Sequence, residues 1–81
     1  MKCHWITSNA EKSITYHIEI NEKRKRIVGW ETTGHWKSEV GGYVSFDNFL
    51  NGDWDAWIAK RFGEDVLSEL KTNTQILNTK D

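Results

Sequence analysis

The side chains best suited to chemistry are Cys3, His4, His17, His35 and the pair Asp53 and Asp55. Metal sites built from cysteine and histidine usually contain a close pair spaced so that both side chains can turn to one ion. Here the only close pair is Cys3 and His4, and adjacent residues of a strand point to opposite faces. No metal site is expected. Asp53-x-Asp55 opens like a calcium loop, but the third ligand position is Trp57 and no glycine follows at the required offset. Capping of a helix explains both aspartates more simply. Catalytic signatures fail as well: neither Gly-x-Ser-x-Gly nor Gly-x4-Gly-Lys-Ser/Thr occurs, and Gly41-Gly42 precedes Tyr43-Val44 rather than a helix start. A chain of 81 residues also leaves little volume for a pocket that excludes water. No catalytic residue and no cofactor are expected, and the chain reads as a non-enzyme.

The chemistry that remains is that of binding. Lys23-Arg24-Lys25-Arg26 is the densest run of charge and could contact phosphates or an acidic protein surface. The plainer alternative is a solvated hairpin tip whose charges discourage edge-to-edge pairing. Arg26, if extended, shares the side of Val28 and Trp30, so the four cations cannot all address one partner. Five tryptophans, Trp5, Trp30, Trp36, Trp54 and Trp57, stand where average usage gives about one. Each buries about 200 Å² and wants a partner for its indole N–H, so a core this small takes two or three. The rest should be partly exposed, as at protein hot spots or base-stacking sites. Trp5 and Trp36 are the expected exposed ones, because Trp54 and Trp57 have helical spacing and read as core. The expected partner-binding residues are Lys23, Arg24, Lys25, Arg26, Trp5, Trp36, Tyr43, Asp53 and Asp55.

These side chains must be held by one small domain. Ile14, Tyr16, Ile18 and Ile20 alternate with Ser13, Thr15, His17 and Glu19, a period of two that marks a half-buried strand over 13–21. Residues 3–7 supply a partner strand, with the turn at 8–11. A third strand over 26–32 follows a charged loop at 21–25, with Val28 and Trp30 on one face and Ile27 on the other. After a turn at Thr33-Gly34, a fourth strand runs over 35–46 with Trp36, Val40, Val44 and Phe46 on its even face. Gly41-Gly42 should interrupt it as a bulge or bend. Thr15, His17, Ile27, Glu31, Lys37, Glu39 and Tyr43 are then expected on the solvated face.

From Asp47 the period becomes helical. Ser45 or Asp47 caps a short turn carrying Phe49 and Leu50, and Gly52 ends it. Asp53 is a good N-cap for a helix over 54–62, with Lys60 and Arg61 in its last turn. Trp54, Trp57, Ile58 and Phe62 fall on an arc of about 140°. After Gly63 a further helical stretch covers 64–72, and 74–81 is expected to be a flexible tail. The fold class is α+β: a four-stranded antiparallel meander, then one or two helices on one face, in a single domain over 1–73. The even sheet face (Ile14, Tyr16, Ile18, Ile20, Val28, Val44) should meet the Trp57, Ile58 and Phe62 stripe.

Composition limits the setting. No apolar run approaches the roughly 18 residues that span a bilayer, and the N-terminus lacks a signal peptide's apolar stretch. One cysteine in a small domain points to a reducing cytosol, and the chain reads as complete. The net charge of −1 conceals an asymmetry: 1–44 carries seven Lys/Arg against five acids, and 45–73 three against six. That balance argues against a protein that coats DNA and for a molecule with a mildly basic and an acidic side.

A strand from the start (Met1-Lys2-Cys3-His4-Trp5), a charged hairpin (22–26) and acidic, Trp-bearing helices (Asp53-Trp54-Asp55-Ala56-Trp57) resemble small phage-encoded inhibitors, the anti-CRISPR proteins among them. The resemblance covers most of the chain, in size, layout and composition, without a shared motif. It implies a stoichiometric inhibitor in the host cytosol. Such a protein would dock on a nucleic-acid-processing complex with acids or cations and tryptophan anchors. Two other functions fit the residues. One is a small RNA or single-stranded DNA binder using Lys23 to Arg26 with Trp36 and Tyr43. The other is a homodimeric accessory subunit that buries its tryptophans against itself.

Overall fold

The computed structural model describes residues 1–33 and 36–79, and of 36–40 the backbone alone. Strands β1 (His4–Asn9), β2 (Ile14–Asn21), β3 (Arg26–Thr33) and β4 (Trp36–Ser45) pair antiparallel in the order β1-β2-β3-β4. Helices α1 (Phe46–Leu50), α2 (Asp55–Phe62) and α3 (Glu64–Asn78) follow and pack on one face of the sheet. The fold is the expected α+β meander. Gly34 and His35, expected in a turn and at the start of the fourth strand, lie outside the described residues.

The first two hairpins are built alike. Each has a four-residue loop, 10–13 and 22–25, whose last residue is left-handed: Ser13 at φ 51° and Lys25 at φ 56°. Each loop closes with an i to i+3 bond, Ser13 N–H to Ala10 O (3.4 Å) and Lys25 N–H to Glu22 O (3.3 Å). The Asn21 carboxamide accepts from Arg24 N–H at 3.0 Å, a side-chain to backbone bond that starts the second loop. Loop length sets register, so Asn21 pairs with Arg26, and Ile20 with Ile27.

That register reverses the faces expected for β3. Ile27 is fully buried beside Ile20 and Val44, while Val28 and Trp30 turn to the side away from the helices. The inward neighbour of Ile18 is Gly29, not an indole. Space above it is filled from the other layer: a Cβ on Gly29 would meet Trp54 Cζ3 at 3.0 Å, and one on Gly42 would meet Trp54 Cζ2 at 3.9 Å. Gly41 and Gly42 form no bulge. They pair in step with Trp30 and Gly29, and the one irregularity lies between Glu31 and Thr33.

Phe46, expected to end the fourth strand, opens α1. Ser45 caps that helix, its hydroxyl accepting from Asn48 N–H at 3.1 Å, and Phe46 and Phe49 are buried. Asp53 does not cap α2. The residue before that helix is Trp54, left-handed at φ 73° with no side-chain cap. For a bulky side chain that backbone costs about 1 kcal/mol or more, and indole packing over Gly29 and Gly42 offsets it. Gly63, at φ 98°, separates α2 from α3.

The expected flexible tail is mostly helix. α3 continues through Asn78, with Leu70, Thr74 and Leu77 buried along one face at i, i+4 and i+7. Residues 74–78 therefore belong to the domain, and 80–81 lie outside the described residues. Lys71 ties the helices together: its ammonium donates to Phe49 O, at the end of α1, and pairs with Asp55 of α2 at 2.7 Å.

Candidate binding face

The side chains of β1–β4 that point away from the helices make an open face, and the β3 register loads it with rings. His17 on β2 stands directly opposite Trp30 on β3, and the two rings stack at 4.8 Å and 3°. His4, on β1, joins them at 5.7 Å from His17 and 5.8 Å from Trp30, within about 21° of parallel. Rings on opposite faces of a third would be about 7 Å apart or more, since each contact needs about 3.5 Å. Both imidazoles therefore lie against the same face of the indole. The other indole face has no ring partner among the described residues. His17 Nδ1 is buried in this stack without a hydrogen-bond partner.

Around the stack the face mixes apolar side chains with one exposed carboxylate, Glu19, which stands between His4 and Val28. Ile6, next to His17 across β1 and β2, is 57% exposed, and Tyr43, across from Val28, is 65% exposed. The Arg26 guanidinium lies over the Tyr43 ring at 4.3 Å. Among the described residues no β4 side chain stands directly beside Trp30, because its pairing partner is Gly41. A Cβ there would stand 2.9 Å from both Gly29 O and Trp30 Cβ. The result is a shallow hollow of ≈ 390 Å³ lined by Val28, Gly29, Trp30, Gly41, Gly42 and Tyr43.

A second hollow, ≈ 380 Å³, opens between the sheet and α2, with Trp54 and Trp57 against the backbone of Gly29 and Gly42 and with Glu31 and Arg61 at its sides. The Arg61 guanidinium sits over Trp57 (4.8 Å) and Tyr16 (5.3 Å), and the Tyr16 and Trp57 rings meet edge to face at 6.1 Å. This cluster is continuous with the core and supports the sheet beneath the open face.

The residues expected to bind a partner are scattered. Tyr43 and Arg26 are on the open face. Lys23 and Arg24 are exposed at the tip of the second hairpin. Lys25 turns to the helices, donating to Leu77 O at 3.1 Å near the end of α3. Trp5, expected at the surface, is 3% exposed in the core, and its indole N–H donates to Glu69 at 2.8 Å. It pairs with Ile18 and so shares the inward parity of β2. Asp53 is exposed, whereas Asp55 is engaged by Lys71. The Trp36 side chain, and those of Lys37 and Glu39 expected on the open face, lie outside the described residues.

Trp30, Val28, His4 and His17 were not expected as a site. The signal that finds them is the β2–β3 loop length, which decides which parity of β3 faces out. Two of the three histidines do meet, but as a stack on an indole. Among the described residues no group of three or more His, Cys, Asp or Glu could hold a metal ion. Nor is any described helix long and apolar enough to cross a membrane. Comparison with family models, with curated proteins and with solved structures finds no match for the chain.

Proposed function

We propose that this chain is a binding protein without a reaction of its own, docking on a protein partner through the open face of its sheet. The observation that carries this reading is the outward-facing cluster of exposed Ile6 and Tyr43 with half-buried Val28 and Trp30, Arg26 being laid on Tyr43 at its margin. Aromatic and arginine side chains grouped with aliphatic ones are the composition of interface hot spots, and here the Glu19 carboxylate lies among them. Stoichiometric blockade of a nucleic-acid-processing complex, the action implied by the resemblance to anti-CRISPR proteins, needs only such a face. Mimicry of phosphate by Asp53 and Asp55 plays little part in this reading, because Lys71 already engages Asp55.

A second reading, a single-stranded nucleic acid on the same face, is favoured by the free side of the Trp30 indole and the nearby Arg26. Capture from bacterial lysate with the whole chain as bait separates the readings. Ile6→Glu and Tyr43→Glu should each lose a stoichiometric protein that Asp65→Lys, on the exposed side of α3, retains. Equal recovery by all baits would refute docking through this face. Recovery of nucleic acid alone, lost on raising salt, would select the second reading.

A further inference from the structure

The aromatic cover of the open face stops one ring short. His4 and His17 press on one side of the Trp30 indole, and they come from β1 and β2. The free side is turned away from those strands, toward β4, whose residue paired with Trp30 is Gly41 and whose described side chain nearest this side is Tyr43. Nothing larger than hydrogen fits at Gly41 without displacing Gly29 O and Trp30 Cβ. A hollow results that is walled by Trp30, Val28 and Tyr43 and floored by backbone. A flat ring entering it gains an indole face to stack on and an aliphatic wall, while the exposed Tyr43 ring closes the end toward Arg26.

We infer that this hollow is the anchor pocket of the docking face and receives an aromatic side chain from an acidic segment of the partner protein. The inference rests on the docking function proposed above. Acidic character follows from charge. Lys23 and Arg24 stand at the adjoining hairpin tip and Arg26 on the face itself, three cations against the exposed acids Glu19 and Glu22, and none of the three has an ion pair among the described residues. Carboxylates flanking the anchor would meet these cations, whereas the free face of the Trp30 indole takes the ring.

The test uses the full chain labelled with nitrogen-15 and the probe acetyl-Asp-Asp-Phe-Asp-Asp-amide, with Leu in place of Phe as control. For so small a ligand the dissociation constant should be about millimolar. The Phe probe should shift the Trp30 indole N–H and the amides of Gly41 and Tyr43. It should bind roughly three- to tenfold more tightly than the Leu probe. Trp30→Leu, checked for folding by circular dichroism, should abolish that preference. Equal shifts from both probes, or shifts confined to 22–25, would overturn the inference. So would saturation of the same signals by octathymidylate at concentrations where the Phe probe leaves them unmoved, which would assign the hollow to an unpaired base. If the probe fails while Ile6→Glu and Tyr43→Glu still lose a captured protein, the anchor falls and docking stands.

Discussion

Replacing Gly29 by alanine tests whether the Trp54 indole is what fills the sheet–helix layer. The new methyl would lie 3.0 Å from Trp54 Cζ3 and 3.5 Å from Cη2, with Trp57 Cη2 at an ordinary 3.7 Å. Overpacking of this kind costs about 1–3 kcal/mol, because Trp54 must shift and its φ of 73° leaves few alternative placements. Against that, alanine has a smaller unfolded-state entropy than glycine, which returns about 0.5–1 kcal/mol. The net loss should be about 1–2 kcal/mol, or roughly 5–15 °C in Tm for a domain of this size.

The decisive measurement is a double-mutant cycle with Trp54→Leu, by urea unfolding followed by circular dichroism. Leucine lacks the atoms that the methyl meets, so in that background Gly29→Ala should be neutral or stabilising by up to about 1 kcal/mol. The coupling should therefore be about 1–3 kcal/mol. Costs that add to within about 0.5 kcal/mol would refute the placement of Trp54 over Gly29.

Two further outcomes probe α3. Leu77→Ala should cost about 2–4 kcal/mol in urea unfolding, because Leu77 is 5% exposed; a loss below about 0.5 kcal/mol would mean that the last turns of α3 are not docked. Thr74→Val should stabilise by about 1 kcal/mol, since the buried Thr74 hydroxyl has no hydrogen-bond partner and valine keeps its shape. A destabilisation of that size in the same melt would show that the hydroxyl is satisfied.

The parts of the fold that were legible have unambiguous periods. In β2 every even residue is apolar and every odd one polar, so its inward face could be read directly. β3 has apolar residues on both parities, Ile27 beside Val28, and the larger Trp30 drew the inward reading. What decides parity there is a loop of four residues, and loop length sits in the conformations of Asn21 and Lys25, not in hydrophobicity. In α3 the stripe Leu70, Thr74, Leu77 carries a threonine at its centre, so the period fades where the helix in fact continues. Asp53 has the composition of a cap, but a cap also needs the next residue to start a helix, and Trp54 is left-handed. Of the site, Tyr43 could be read from alternation in β4. Trp30 with its imidazoles could not, because it depends on pairing between three strands.

The excess of tryptophan turns out to be a poor guide to binding when taken as a number. Three of the four whose side chains are described serve the helix side: Trp5 with its N–H on Glu69, and Trp54 and Trp57 packed against the core. Trp54 and Trp57 fit because β3 and β4 present Gly29 and Gly42 to them, so the sheet is thin where the helical layer is thick. The same pair of strands is thin on its other side, at Gly41. There, among the described residues, no element of the chain covers the hollow. An indole over a glycine is a closed arrangement on one side of these strands and an open one on the other. Among the tryptophans whose side chains are described, that contrast between filled and unfilled space is the reason the proposed docking face is built on Trp30.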